Sequence, residues 1–205
     1  MTMSILTILA GYLIGSIPFA YLITRWRKGL DIRKVGSLNM GAMNVMYTAG
    51  PAFGLLVLML DFSKGVGAVF LARWLCDSLN IEILAGTAAI LGHIYPLFLK
   101  FKGGKGGATC IGVCFILLPW GIPIFYGIFG LLTALTRFLT LSYSIALLCF
   151  PFVAWLIYHS PALIIFTSAM LALLGLRYVP RAMQIRSSSG SWRRALMRRS
   201  LKERI

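Results

Sequence analysis

Long apolar runs, rather than short alternating ones, organise this chain. Residues 5–23, 51–75, 83–99, 139–158 and 161–176 are continuous enough to approach the ~20 residues a helix needs to cross the hydrocarbon of a bilayer. Two further apolar pieces, 108–118 and 121–135, are shorter and are divided by Pro119-Trp120-Gly121-Ile122-Pro123. A helix the length of the first rises only about 16 Å, roughly half the hydrocarbon thickness. The pair is therefore expected to dip into the membrane and return to the same side. The pattern predicts an all-α, polytopic integral membrane protein with five crossings and one short hairpin, seven helical pieces in all. Two interruptions stand out. Gly15-Ser16-Ile17-Pro18 breaks the first run, and lipid tolerates such a break only where neighbouring groups take up the freed backbone. Residues 36–50 read as neither span nor polar linker. They are rich in small residues, amides and hydroxyls and follow a basic stretch at the membrane surface.

Composition sharpens this picture. Of 205 residues 59% are hydrophobic and 12% charged, against about half and a quarter in soluble domains, so a soluble globular domain is excluded. Twenty Lys+Arg against five Asp+Glu give a net charge of +15, which by itself would suit a nucleic-acid binder. The bases, however, are confined to short stretches between apolar runs, which argues against a nucleic-acid partner and for cytoplasmic loops. Arg25, Arg27, Lys28, Arg33 and Lys34 face one Asp31, and Lys100, Lys102 and Lys105 mark a second loop on the same side. The expected topology has the N-terminus outside, a single transmembrane domain over 1–178, and a basic cytoplasmic tail over 179–205. In that tail Trp192, Leu196, Met197 and Leu201 can share a face opposite Arg193, Arg194, Arg198 and Arg199. This fits either an interfacial helix on anionic lipid or an unstructured positive-inside tail. Cys110 and Cys114, four positions apart, have no histidine or carboxylate nearby in sequence to complete a metal site, and they, Cys76 and Cys149 are expected to be small buried apolar residues.

The strongest candidate chemistry lies between Gly92 and Thr109. Gly103, Gly104, Gly106 and Gly107 let backbone N–H groups approach a ligand. Consecutive amides there form an anion nest, Lys102 and Lys105 add full charges, and an apolar helix opens just after with its positive end at the same place. This predicts a phosphate site at the membrane surface. It is not a nucleotide P-loop, because Lys105 is followed by Gly106 rather than Ser or Thr and the Walker spacing is missing. His93, just before the loop, is a candidate general base or orienting hydrogen-bond partner. Asp61 and Lys64 interrupt an apolar run, where each charge costs about 2.5–3.5 kcal/mol on insertion scales. At i, i+3 they are placed to pair. Arg137 stands alone between two apolar pieces, placed either to clamp a phosphate or to mark the inner interface.

Together these residues resemble the bacterial acyl-phosphate:glycerol-3-phosphate acyltransferases. The likeness runs from the Tyr12-to-Ile23 segment to about Leu141. It includes Gly36-Ser37-x-Asn39-x-Gly41-Ala42-x-Asn44-Val45, Asp61-x-x-Lys64-Gly65 and the block from His93 to Thr109. The resemblance implies a seven-helix enzyme of the bacterial cell inner membrane. It would move an acyl group from acyl phosphate to the 1-hydroxyl of sn-glycerol 3-phosphate, in phospholipid biosynthesis, without metal or other cofactor. Its implied catalytic residues are Ser37, His93 and Lys105. Its implied substrate contacts are Asn39, Gly41, Asn44, Lys64, Lys102, Gly103, Gly104, Gly106 and Arg137. Membrane lipids and an enzyme that makes acyl phosphate are the implied partners. The chain departs from the family's usual wording at Leu38, Met43 and Tyr47 and around Tyr178 and Arg181. Two other readings compete: a non-enzymatic or altered-acceptor relative that binds anionic lipid, and a small transporter or flippase. The second needs a midplane site reached from both sides, whereas the basic and glycine features here gather on one face.

Overall fold

The computed structural model describes residues 1–189. The end of the basic tail, with Trp192, Leu196, Met197 and Leu201, lies outside the described residues. Among the described residues there are ten α-helices and no strands. They are α1 (Thr2–Ser16), α2 (Phe19–Lys28), α3 (Ala42–Thr48), α4 (Pro51–Cys76), α5 (Leu79–Ile94), α6 (Gly107–Leu117), α7 (Gly121–Thr136), α8 (Leu139–Ala146), α9 (Cys149–Leu156) and α10 (Pro161–Ser189). Five apolar segments are long enough to cross a membrane: Thr2–Lys28, Pro51–Cys76, Leu79–Leu99, Leu139–Leu156 and Pro161–Val179. Gly107–Leu117 and Gly121–Thr136 are shorter apolar helices. These are the seven pieces the apolar runs predict.

The runs are subdivided where the backbone loses a donor. Pro18 has no N–H, so the first run breaks after Ser16, and the chain turns through Ile17 N–H donating to Ile14 O before α2 begins. α2 then continues through Arg25, Arg27 and Lys28 and ends on Gly29 at φ +69°. The first basic cluster is thus the end of a helix, where cations meet the negative pole of the dipole. Pro151 likewise divides the fourth run. It cannot donate to Leu147 O, and Phe150 N–H does so instead at 3.2 Å, tightening the chain between α8 and α9. α10 passes Leu176, where the sequence predicts the last crossing to end, and continues through Pro180 to Ser189.

The chain divides into two compact units, Met1–Leu117 and Leu118–Ile205. In the first, helices approach through small residues, because burial from water offers little drive between helices already in lipid. A Cβ on Gly15 of α1 would run into the backbone of Ala89 of α5, and one on Gly11 into Ala85 O at 2.7 Å. Gly65 of α4 and Gly112 of α6 are each pressed against the other helix's backbone in the same way. At one end of this unit, Arg73 at the close of α4 reaches Glu82 in the first turn of α5, with N···O 2.6 Å. In the second unit Phe125 of α7 stacks on Phe150 of α9 at 5.7 Å and meets Tyr143 of α8 edge-on at 5.6 Å.

The α1–α5 contact makes a direct prediction. Gly15→Leu forces a side chain into a backbone that cannot yield and should lower stability by about 1–3 kcal/mol. A thermal shift of the detergent-solubilised protein measures this, and an unchanged Tm would show that α1 does not pack as described.

Candidate active site

Two loops at the same end of the first unit carry most of the candidate residues. The first runs from Gly29 to Gly41, between α2 and α3. Its clip is Asp31, which accepts from Arg33 N–H at 3.0 Å and pairs with the Arg33 guanidinium at 2.8 Å. The side-chain hydrogen bonds from Arg33 hold the Asp31 carboxyl below the usual carboxylate range. Its contribution is therefore intact at neutral pH and is lost only as pH falls through that lowered value.

Asn44, in α3, organises the rest of this loop. Its Oδ1 accepts from Ser37 N–H at 3.0 Å. Its Nδ2 donates towards Ile32 O, Val35 O and Asn39 O at 3.0–3.1 Å. The side chain is buried. The resemblance counts Asn44 among substrate contacts; the structure shows its amide taken up by the protein's own main chain. Ser37 and Asn39 are only partly buried, and Gly41 sits at the N-cap of α3.

The second loop joins α5 to α6. Leu97–Leu99 form a 3-10 turn, and Lys100 and Phe101 follow at φ +53° and +60°. That left-handed pair reverses the chain, with Phe101 N–H donating to Pro96 O at 3.0 Å and Lys102 N–H to Leu99 O at 3.2 Å. The next two amides turn inward. Gly103 N–H donates to Ile94 O at 3.2 Å, and Gly104 N–H to His93 O at 3.1 Å. An anion nest running through all the glycine amides is therefore not what forms. Gly103 and Gly104 satisfy the carbonyls at the end of α5, a use that sequence alone does not reveal. The anion-directed features that remain are the exposed Lys102, the partly buried Lys105 and the positive end of α6, which begins one residue earlier than predicted, at Gly107. Gly106, at φ +87°, makes the turn into that helix.

The two loops touch. Arg33 donates to Leu99 O at 3.4 Å, and a Cβ on Gly104 would meet Met40 O at 2.5 Å and the His93 ring. Beneath them lie three buried ionisable side chains. Lys64 Nζ is 2.8 Å from Asp61 Oδ1, His93 Nδ1 is 3.5 Å from Lys64 Nζ, and the same Nδ1 is 3.6 Å from Asp61 Oδ1. Asp61 and Lys64 are 2% exposed and His93 4%, so these groups have left solvent, and the two charges of the Asp61–Lys64 pair depend on one another. Thr109, in the first turn of α6, donates to Asp61 O at 2.9 Å, and the Phe19 ring lies 5.1 Å from Lys64 Nζ. Sequence reading treats His93 and the Asp61–Lys64 pair separately; the structure joins them. The contacts of Thr109 and Arg33 were missed, and the available signal was that intramembrane charges need partners. Arg137 belongs to the second unit. It is exposed and closes α7 at φ +53°, its N–H donating to Thr133 O at 2.8 Å.

Comparison with known proteins is decisive on kinship. The family model described as glycerol-3-phosphate acyltransferase matches residues 5–187. The chain belongs to the glycerol-3-phosphate acyltransferase family. It is 48% identical to glycerol-3-phosphate acyltransferase 2 of Dehalococcoides mccartyi, over 99% of this chain and 98% of that one. It is 38% identical to the glycerol-3-phosphate acyltransferase of Endomicrobium trichonymphae, covering 87% and 89%. The fold is similar to the crystal structure of PlsY (YgiH), an integral membrane glycerol 3-phosphate acyltransferase, in its glycerol 3-phosphate form. The TM-score is 0.82 at 32% identity, covering 91% of this chain and 92% of that one. The lysophosphatidic acid form of that enzyme matches at TM-score 0.80 and 31% identity. The stretch shared with the family model takes in every candidate residue from Ser37 to Arg137. The solved relative is an integral membrane protein, in agreement with the five apolar segments long enough to cross a membrane among the described residues.

The geometry around Asn44 predicts an ordered pair of effects. Asn44→Ala removes the bonds that fix Ser37 and Asn39, leaves buried carbonyls unpaired, and should cost about 1–3 kcal/mol or more. Asn44→Asp should be at least as damaging, because it sets a carboxylate against three carbonyl oxygens. Thermal stability of the two variants checks this, and an aspartate variant as stable as the parent would mean the amide does not hold the loop.

Proposed function

We propose that this chain acylates the 1-hydroxyl of sn-glycerol 3-phosphate with acyl phosphate as donor, releasing lysophosphatidic acid and inorganic phosphate. The observation that carries this reading is the meeting of the Ser37–Gly41 loop with the Gly103–Gly106 loop, at one end of a helical unit that has apolar walls. Such a place suits two phosphate-bearing substrates, one of which has a fatty tail. Lys102 and Lys105 supply charge for the phosphates, and Ser37 and Asn39 supply neutral hydrogen bonds beside them.

In the reaction the glycerol hydroxyl oxygen attacks the acyl carbonyl carbon. The bond from that carbon to the phosphate oxygen breaks, the phosphate leaves with the bonding pair, and the hydroxyl proton passes to an oxygen of the departing phosphate. Held side by side, the substrates gain from proximity. In this reading Lys105 stabilises charge on the carbonyl oxygen or the leaving phosphate. Nothing in this scheme needs a covalent enzyme intermediate. The site is assigned to the cytoplasmic face of the bacterial inner membrane, with the N-terminus outside and the C-terminus inside, because the bases of both loops follow the positive-inside rule. An enzyme that supplies acyl phosphate is the expected partner.

Protein reconstituted in liposomes should release inorganic phosphate and form lysophosphatidic acid only when acyl phosphate and glycerol 3-phosphate are both present. Lys105→Ala should lower kcat/KM by about 100-fold or more, the scale of losing one charge-stabilising donor. Phosphate release without acceptor would identify a hydrolase, and turnover with acyl thioester but not acyl phosphate would overturn the donor. For the orientation, Lys100→Cys should react with a membrane-impermeant maleimide in inside-out vesicles and not in right-side-out ones; the reverse pattern would invert the topology.

A further inference from the structure

We propose that Lys64, held by Asp61, fixes His93 as an Nε2–H donor seated against Gly104, so that an ion pair inside the helices positions the phosphate loop. The proposal deepens the acyltransferase reading and makes His93, Lys64 and Asp61 positioning residues for that site.

The argument begins with the proton inventory. An ammonium has three N–H donors and no lone pair. Lys64 Nζ lies 2.8 Å from Asp61 Oδ1 and 3.5 Å from His93 Nδ1. The second contact is attractive only if Nδ1 offers a lone pair, which puts the ring proton of neutral imidazole on Nε2. In the opposite tautomer an Nδ1–H would point toward Lys64, proton against proton. That proton would have to turn to Asp61 Oδ1 at 3.6 Å, an oxygen Lys64 Nζ already approaches at 2.8 Å. Lys64 is itself confined by the Phe19 ring 5.1 Å from Nζ, a cation–π contact. Asp61 is anchored through its carbonyl by Thr109.

The other edge of the ring meets the loop. His93 Nε2 abuts the point where a Cβ of Gly104 would stand, and Gly104 N–H donates to His93 O at 3.1 Å. One residue thus holds Gly104 from two sides, by its ring and by its main chain. Lys105, the charge assigned to the reaction, is the next residue. A histidine fixed in this way acts as a donor and spacer under the loop, rather than as the base that deprotonates the acceptor.

The sequence contains two histidines, so nitrogen NMR of protein labelled at histidine, with His159→Gln as the assignment variant, reads the His93 ring directly. The expected result for neutral His93 is a protonated Nε2 and an unprotonated Nδ1, with Lys64→Met producing a tautomer mixture. Lys64→Met should also raise KM for glycerol 3-phosphate on the order of tenfold with a smaller change in kcat, as for a residue acting through another. His93→Gln, which can place an N–H near the Nε2 position, should retain more activity than His93→Asn. An Nδ1–H tautomer in the parent protein would overturn the proposal. So would a tautomer and KM unaffected by Lys64→Met, or His93→Asn matching His93→Gln. If Lys64→Met does not fold, Asp61→Asn combined with Lys64→Met removes both charges and the same two readouts apply. The tautomer is read without substrate. A parent protein showing the Nε2–H form but no acyl transfer would therefore remove the enzymatic reading and support this one, with the Kd for inorganic phosphate replacing KM.

Discussion

A lysine and an aspartate cannot remain inside a lipid-embedded helix unless each answers the other's charge, and the first unit is arranged around that requirement. Asp61 and Lys64 lie three positions apart on α4 and meet at 2.8 Å. Removing either would leave the other buried and unpaired, which costs far more than the pair contributes as a whole. The surrounding elements close over the pair: α5 brings His93, α2 brings Phe19, and the start of α6 brings Thr109. The glycine contacts between α4 and α6 make this closure feasible, since any side chain at Gly65 or Gly112 would push Thr109 away from Asp61.

The loops above inherit their shape from what lies beneath. The end of α5 supplies carbonyls at His93 and Ile94, and the amides of Gly104 and Gly103 return to satisfy them. Asn44 does the same work for the other loop with one side chain. Both loops therefore present lysines and small polar groups on a frame whose own hydrogen bonds are largely met internally. That is the condition under which charged groups stay where a substrate can use them.

Much of this was legible in the sequence. The five long spans and two short helices follow from the apolar runs, because helix length in lipid is set by bilayer thickness. The pairing of Asp61 with Lys64 follows from their spacing. Less legible was the fate of the glycine amides: glycine announces that a backbone approaches something closely, but not whether that something is a ligand or the carbonyl of its own helix. The joining of His93 to Asp61 and Lys64 depends on how α4 and α5 are rotated against each other, which periodicity does not specify in helices that are apolar nearly all round. The subdivisions at Pro18 and Pro151 were written in the chain as prolines, though only the first was read as a break.

The close seat of α1 on α5 bears on the order of assembly during synthesis. Gly11 and Gly15 precede Ala85 and Ala89 by 74 residues in the chain, so the stripe on α1 has no α5 to seat against until that much more chain has been made. When α5 arrives to fill that stripe, the same helix carries His93 to its place beside Lys64. One helix thus both seats α1 and delivers His93 to the ionic centre, and Thr109 at the start of α6, the next helix in the chain, closes it.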